Sequence, residues 1–143
     1  MVAYPPQGAT LQNFELEPGM LSMGGVFYPT GYLFVMFPQI EDAQHVAAGL
    51  PAEHPEKPNF LLPPDTVLEK IVGTVGSADI PLPSIGTEGA TVRLYAQLAS
   101  TGHCALMVYA DSVDDAEAVM AVVRTRPFAC ARKYRMLVIE DLV

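Results

Sequence analysis

A repeat within the chain constrains its fold more than any other feature. Gly31 to Leu50 reads GYLFVMFPQIEDAQHVAAGL, and 73 residues further on Cys104 to Val123 reads CALMVYADSVDDAEAVMAVV. In that register Leu33, Val35, Asp42, Ala43, Val46 and Ala48 meet identical residues. Each copy opens on a continuous apolar run, LFVMF or ALMVYA, of strand length. Each continues with apolar residues at helical spacing: Ile40, Ala43, Val46, Ala47 and Leu50, then Val113, Ala116, Val119, Met120 and Val123. A proline-marked break follows each helix and leads to strand-like sequence, Asn59 to Leu62 in the first copy and Tyr134 to Ile139 in the second. Two βαβ units are expected, residues 31–62 and 104–135. Right-handed crossovers put each helix on one face of the sheet, so two such units side by side predict an α+β fold, a ferredoxin-like sandwich.

Two extra helices are expected between the units. Asp65 can cap a segment with Val67, Leu68, Ile71, Val72 and Val75 on one face and Gly76 as its stop. Thr87 can cap another through Val92, Tyr95, Leu98 and Ala99, ended by Gly102. Between them the prolines at 81 and 83 predict an ordered loop. Pro5-Pro6, Pro18-Gly19 and Gly24-Gly25 forbid a long helix near the start, so residues 1–30 read as an arm with short edge strands around Phe14 and Phe27. Residues 31–143 then form a single α+β domain, within the usual size of one folding unit. In the second unit Ser112 and Asp115 make a capping-box variant, and Asp114 and Asp115 suit the positive end of the helix dipole without a catalytic role.

Sixteen acidic residues against eight basic ones give a net charge of -8, which argues against nucleic acid and anionic membranes as partners. The apolar runs are far too short to span a bilayer, and the first residues lack the basic start and apolar stretch of a signal peptide. Cys104 and Cys130 have neither disulfide-framework nor metal-ligand spacing and read as buried free thiols of a cytoplasmic protein. A sheet covered by helices on one face, in a chain of mean hydropathy +0.26, leaves a second face to bury and predicts a homodimer.

The run Tyr95-x-x-Leu98-x-x-x-Gly102-His103-x-Ala105-Leu106-Met107-Val108, followed by Val113-x-x-Ala116-Glu117-x-Val119, resembles the small bacterial general-stress and heat-induced stress domains. These also place a Tyr-containing helix and a glycine before a βαβ unit. The resemblance covers about the last 55 residues. It implies a stress-related or regulatory role and brings no catalytic residues with it. The glycine-rich central segment of that group is replaced here by the loop around Pro81 and Pro83.

Candidate sites are few. His103 and Cys104 are adjacent, but strand neighbours point to opposite faces, so one cannot activate the other. His45, His54 and His103 stand at no metal-ligand spacing, and no metal or other cofactor is expected. Phe27, Tyr28, Tyr32, Phe34 and Phe37 could stack on RNA bases, yet no basic-glycine-aromatic pattern accompanies them, so core packing is the better account. Three functions remain. The first is a non-enzymatic module acting through protein–protein contact. The second is a small-molecule binder or enzyme with a pocket near loop 79–88, where Asp79, Thr87 and Glu88 flank apolar Ile80, Leu82 and Ile85. The third is contact with an anion, RNA or an acidic partner through Arg124, Arg126, Arg132, Lys133 and Arg135, five of the eight basic residues. A terminal strand through residue 139 would put Lys133, Arg135, Leu137 and Ile139 on one face and Arg132, Tyr134, Met136 and Val138 on the other.

Overall fold

The computed structural model describes residues 11–12, 14–22, 25–75, 86–136 and 138–143. In chain order the elements are β1 Leu11–Gln12, a 3-10 turn Pro18–Met20, β2 Tyr32–Phe37, α1 Ile40–Ala48, β3 Asn59–Leu62 and α2 Pro64–Thr66. Then come α3 Gly86–Ser100, β4 Cys104–Tyr109, α4 Val113–Val123, β5 Cys130–Tyr134 and β6 Ile139–Asp141. The strands form one sheet in the order β1-β3-β4-β2-β5-β6, antiparallel throughout except for the short parallel pair β1–β3.

The two apolar runs, β2 and β4, lie side by side at the centre. Their register carries the repeat into space: Leu33 faces Val108, Val35 faces Leu106, and Phe34 faces Met107, its own counterpart 73 residues on. Exchanging the two copies maps these pairs onto one another, so a pseudo-two-fold axis runs through the Phe34–Met107 pair. The return strands keep the symmetry with a slip of one residue. Phe60 lies opposite Met107, whereas Arg132 lies opposite Phe34, so the helix-to-strand connection is one residue shorter in the second unit.

Alternation along the strands sorts side chains between two cores. On one face Leu33, Val35 and Phe37 of β2, with Leu106 and Val108 of β4, pack under α1 and α4 through Val46, Val119 and Met120, joined by Leu50 just past α1. On the other Phe34, Met36, Met107 and Tyr134 are covered by Phe14 and Phe27 of the arm, Ile71, and Val92 and Tyr95 of α3. Every residue of β2 is buried, as the unbroken apolar run requires of a strand covered on both faces. The chain itself fills the second face, which the sequence reading left open for another subunit. Phe27 N–H donates to Thr74 Oγ1 at 2.9 Å, tying the arm to the second helical layer.

Local details correct several expectations. Pro63 precedes α2 and Pro64 opens it, so Asp65 sits in the first turn instead of capping it. The helix then widens into a π turn, Val67–Ile71, where Val72 N–H reaches back to the Val67 carbonyl, and tightens into a 3-10 turn, Val72–Val75. Val67 and Ile71, four residues apart on one face, are both fully buried in the core. α3 begins at Gly86, which places Thr87 inside its first turn rather than at its cap. The Ser112 cap forms as expected, accepting from Asp115 N–H at 3.0 Å.

The terminal strand is a hairpin. β5 ends at Tyr134, Arg135 N–H donates to the Val138 carbonyl at 2.8 Å, and β6 returns along β5 from Ile139. The face alternation expected through residue 139 therefore stops at Tyr134; Leu137 lies outside the described residues. Within β5 Lys133 and Arg132 do point to opposite faces, toward the α4 layer and the arm layer respectively, as the buried Ala131 and Tyr134 beside them dictate.

Candidate functional site

Two clefts flank the first turns of α4, one on each side of the helix. The larger, of about 180 Å³, lies between α4, the end of β4 and the connection from α1 to β3. That connection is shaped by its prolines. Pro51 follows α1, and Pro55 stands in a turn closed by Lys57 N–H donating to the His54 carbonyl at 3.2 Å. Glu53 anchors it by accepting Asn59 N–H at 2.5 Å. The Asn59 side chain, 2% exposed, accepts Tyr109 N–H at 3.3 Å where the β3–β4 ladder stops. Glu53, His54, Asn59, Tyr109 and Asp115 thereby converge over a floor of Val108 and Val119.

Tyr109 is the best-positioned of these groups. Its ring meets Tyr32 edge-on at 5.4 Å and His54 at 5.1 Å, and Lys57 Nζ stands 5.7 Å over it. The ring also lies across Gly31, where a Cβ would come within 2.5 Å of it; with φ at +90°, that position requires glycine twice over. Among the described residues no side chain hydrogen-bonds the Tyr109 hydroxyl. Burial, aided by the Asp111 carboxylate, holds this phenol above its usual range, so it is a neutral donor and acceptor at pH 7. His54 Nδ1 accepts Glu56 N–H at 3.1 Å, which leaves the proton of the neutral ring on Nε2. With two carboxylates at its rim the cleft disfavours anions and suits a neutral or cationic ligand.

The smaller cleft, of about 120 Å³, lies between α4 and β6 with Lys133 at its base. Lys133 is 5% exposed, and its Nζ donates to the Asp111 carbonyl at 3.0 Å. Burial lowers the pKa of this amine, and Arg135 adds to that; Asp111, Glu140 and Asp115 pull the other way.

The arginines of the basic cluster read from the sequence are each set beside an acid. Arg132 pairs with Asp141 at 2.6 Å and Arg135 with Glu140 at 3.8 Å along the β5–β6 hairpin. At the far end of α4, Arg124 pairs with Glu117 at 3.6 Å and Arg126 reaches Asp42 on α1 at 3.2 Å. Each arginine has a carboxylate neighbour, which removes most of its pull on an outside anion. Lys133, alone in the cluster, has no carboxylate of the described residues within ion-pair distance and donates to a backbone carbonyl instead. Of the pocket-loop residues, Asp79, Ile80, Leu82 and Ile85 lie outside the described residues, and Thr87 and Glu88 fall in the first turn of α3.

The remaining candidates take structural places. Phe27, Phe34 and Phe37 are fully buried and unavailable to bases. Cys104 and Cys130 point to opposite faces, and burial pushes both thiols up to about 11, leaving them inert at neutral pH. His45 meets Arg126 and His103 meets Thr101; among the described residues no three His, Cys, Asp or Glu side chains gather as a metal site. No helix of the described chain is long and apolar enough to cross a membrane.

Sequence reasoning missed Asn59, Tyr109 and the cleft role of His54. One signal was present: Tyr109 is the repeat counterpart of Met36, a polar group where the other copy keeps an apolar one. Comparison with models of protein families, with curated proteins and with solved structures finds no match to this chain, so the geometry of these clefts is what its function must be read from.

Proposed function

We propose that the chain is a small cytoplasmic binding module on a ferredoxin-like sandwich, taking a neutral or cationic small molecule in the Tyr109 cleft. The strand order β3-β4-β2-β5, with both unit helices on one face, supports the ferredoxin-like reading. One observation carries the binding reading: polar side chains from three separate segments converge on an apolar floor, and the Tyr109 hydroxyl there has no hydrogen-bond partner among the described residues. The resemblance to general-stress domains supports a regulatory or stress-related role for that binding. A thermal-shift panel of small amines (ethanolamine, putrescine) and small anions (acetate, phosphate) tests it. At about 100 times Kd a ligand stabilises by about 2.7 kcal/mol, a rise of several degrees. Amines should give that rise, and Tyr109→Phe should reduce it. Stabilisation by the anions instead, or a shift indifferent to Tyr109→Phe, would reject this site.

A second reading, protein contact, has its own observation. Met136 and Val138, at the tip of the β5–β6 hairpin, are 80% and 58% exposed, apolar groups that a partner or second copy would cover. Light scattering across the micromolar range should then give a mass above the 15.4 kDa of one chain. Changing Met136 and Val138 together to Asp should restore the single-chain mass. A wild-type protein that is monomeric throughout would end the homodimer reading.

A further inference from the structure

We propose that Lys133 is a reactive amine, and that the cleft between α4 and β6 admits small neutral carbonyl compounds, aldehydes above all, to form an imine with it. The placement is unusual for a lysine, since long charged side chains almost never lie fully buried unless paired. Lys133 is 5% exposed, yet no carboxylate of the described residues lies within ion-pair distance of its Nζ. Its one hydrogen bond, to the Asp111 carbonyl, fixes the amine at the base of a cleft that is open to solvent. Val113 and Leu142 form apolar walls, and the volume of about 120 Å³ has room for about four water molecules. That suits a compound of a few heavy atoms.

The charges around the amine select the ligand. Asp111 just past β4, Glu117 on α4 and Glu140 on β6 line the cleft with Arg135, and Asp115 adds its charge from the other side of α4, a balance that disfavours carboxylates and phosphates. Burial lowers the amine's pKa, so a larger share is neutral and nucleophilic than for a lysine in water. In that form one N–H can keep the Asp111 carbonyl while the lone pair is free toward the cleft. The nitrogen adds to the carbonyl carbon, and the C–O π pair takes up a proton to give a carbinolamine. Loss of the hydroxyl as water, with a proton supplied and the N–H proton removed, leaves the C=N bond; Glu117 and Glu140 stand in the cleft wall as carriers for these protons. Amine and aldehyde become imine and water, with no oxidant or reductant.

Lys57 and Lys70 are internal standards, the only other lysines of the chain. The full-length protein is pulsed with propionaldehyde and cyanoborohydride at pH 7, and propyl adducts are mapped by peptide mass spectrometry. Lys133 should be labelled at least tenfold faster than Lys57 or Lys70, and faster than by glyoxylate, an anionic aldehyde. Lys133→Arg keeps the charge and should remove only the fast adduct. Labelling of Lys133 no faster than the others in the folded protein would overturn the proposal and leave a buried structural lysine. Preference for glyoxylate would overturn the assignment to neutral carbonyls.

Discussion

Phe34→Ala is expected to cost about 3–5 kcal/mol of folding stability, a large share of the roughly 5–15 kcal/mol available to a domain of this size. Phe34 is fully buried at the pseudo-two-fold axis, flanked in the sheet by Met107 and Arg132. Its ring stacks on Tyr95 of α3 at 4.2 Å and meets Phe27 of the arm edge-on at 5.5 Å. One side chain thus holds the sheet, α3 and the arm together. Truncation removes the transfer free energy of the ring and leaves a void that three rigid elements cannot close. Urea denaturation should show a lower midpoint with an unchanged slope. Phe34→Leu keeps more of the volume and should cost clearly less. A loss under about 1 kcal/mol for Phe34→Ala would mean that α3 and the arm do not pack on this face.

The second large effect is expected at a pair of hydroxyls. Tyr95 and Tyr134 are both fully buried, and their oxygens lie 2.7 Å apart. Tyr134→Phe leaves the Tyr95 hydroxyl buried without that partner, at about 1–3 kcal/mol, and Tyr95→Phe does the same in reverse. The double variant removes both polar groups, so its loss should fall well short of the sum of the two. A strictly additive double variant would show that the hydroxyls do not depend on one another.

The same pair sets a pH dependence. Burial raises both phenols well above the ordinary tyrosine pKa of about 10. Their contribution is intact below that value and is lost as pH rises above it, because the unfolded chain then gives up protons that the native state retains. Lys133 acts with the opposite sign: its lowered pKa means that stability rises with pH up to the ordinary lysine value. The urea midpoint of the wild type should therefore fall between pH 9 and 11 by more than that of the Tyr95→Phe, Tyr134→Phe double variant. Equal falls in the two proteins would assign the alkaline loss to other groups, Tyr32 among them, whose phenol burial pushes up to about 12.

Much of the fold was written in local periodicity. LFVMF and ALMVY read as strands covered on at least one face, the helical spacing of Ala43, Val46, Val119 and Met120 marked the side that packs on them, and Ser112 announced the start of α4. These features depend on backbone geometry within a few residues, which a sequence carries directly. Other features depend on contacts between distant positions. Nothing in Arg135 to Val138 signals a turn, since glycine, asparagine, aspartate and proline are all missing; the hairpin is closed by the pairing of β6 on β5. Charge counting gathered the arginines into one patch, whereas Arg126 reaches back 84 residues to Asp42 and each of the others finds an acid of its own. The cover of the second face brings together Phe14, Ile71 and Tyr95, and the larger cleft brings together His54, Tyr109 and Asp115. The sequence determined where the central strands and their helices lie and which sides of them are apolar, but it ran the last strand from Tyr134 to Ile139, where the structure has β5 Cys130–Tyr134 turning back into β6. Only the tertiary structure decided what those sides meet, because the choice among partners is made by burial and ion pairing across the chain, which no local spacing records.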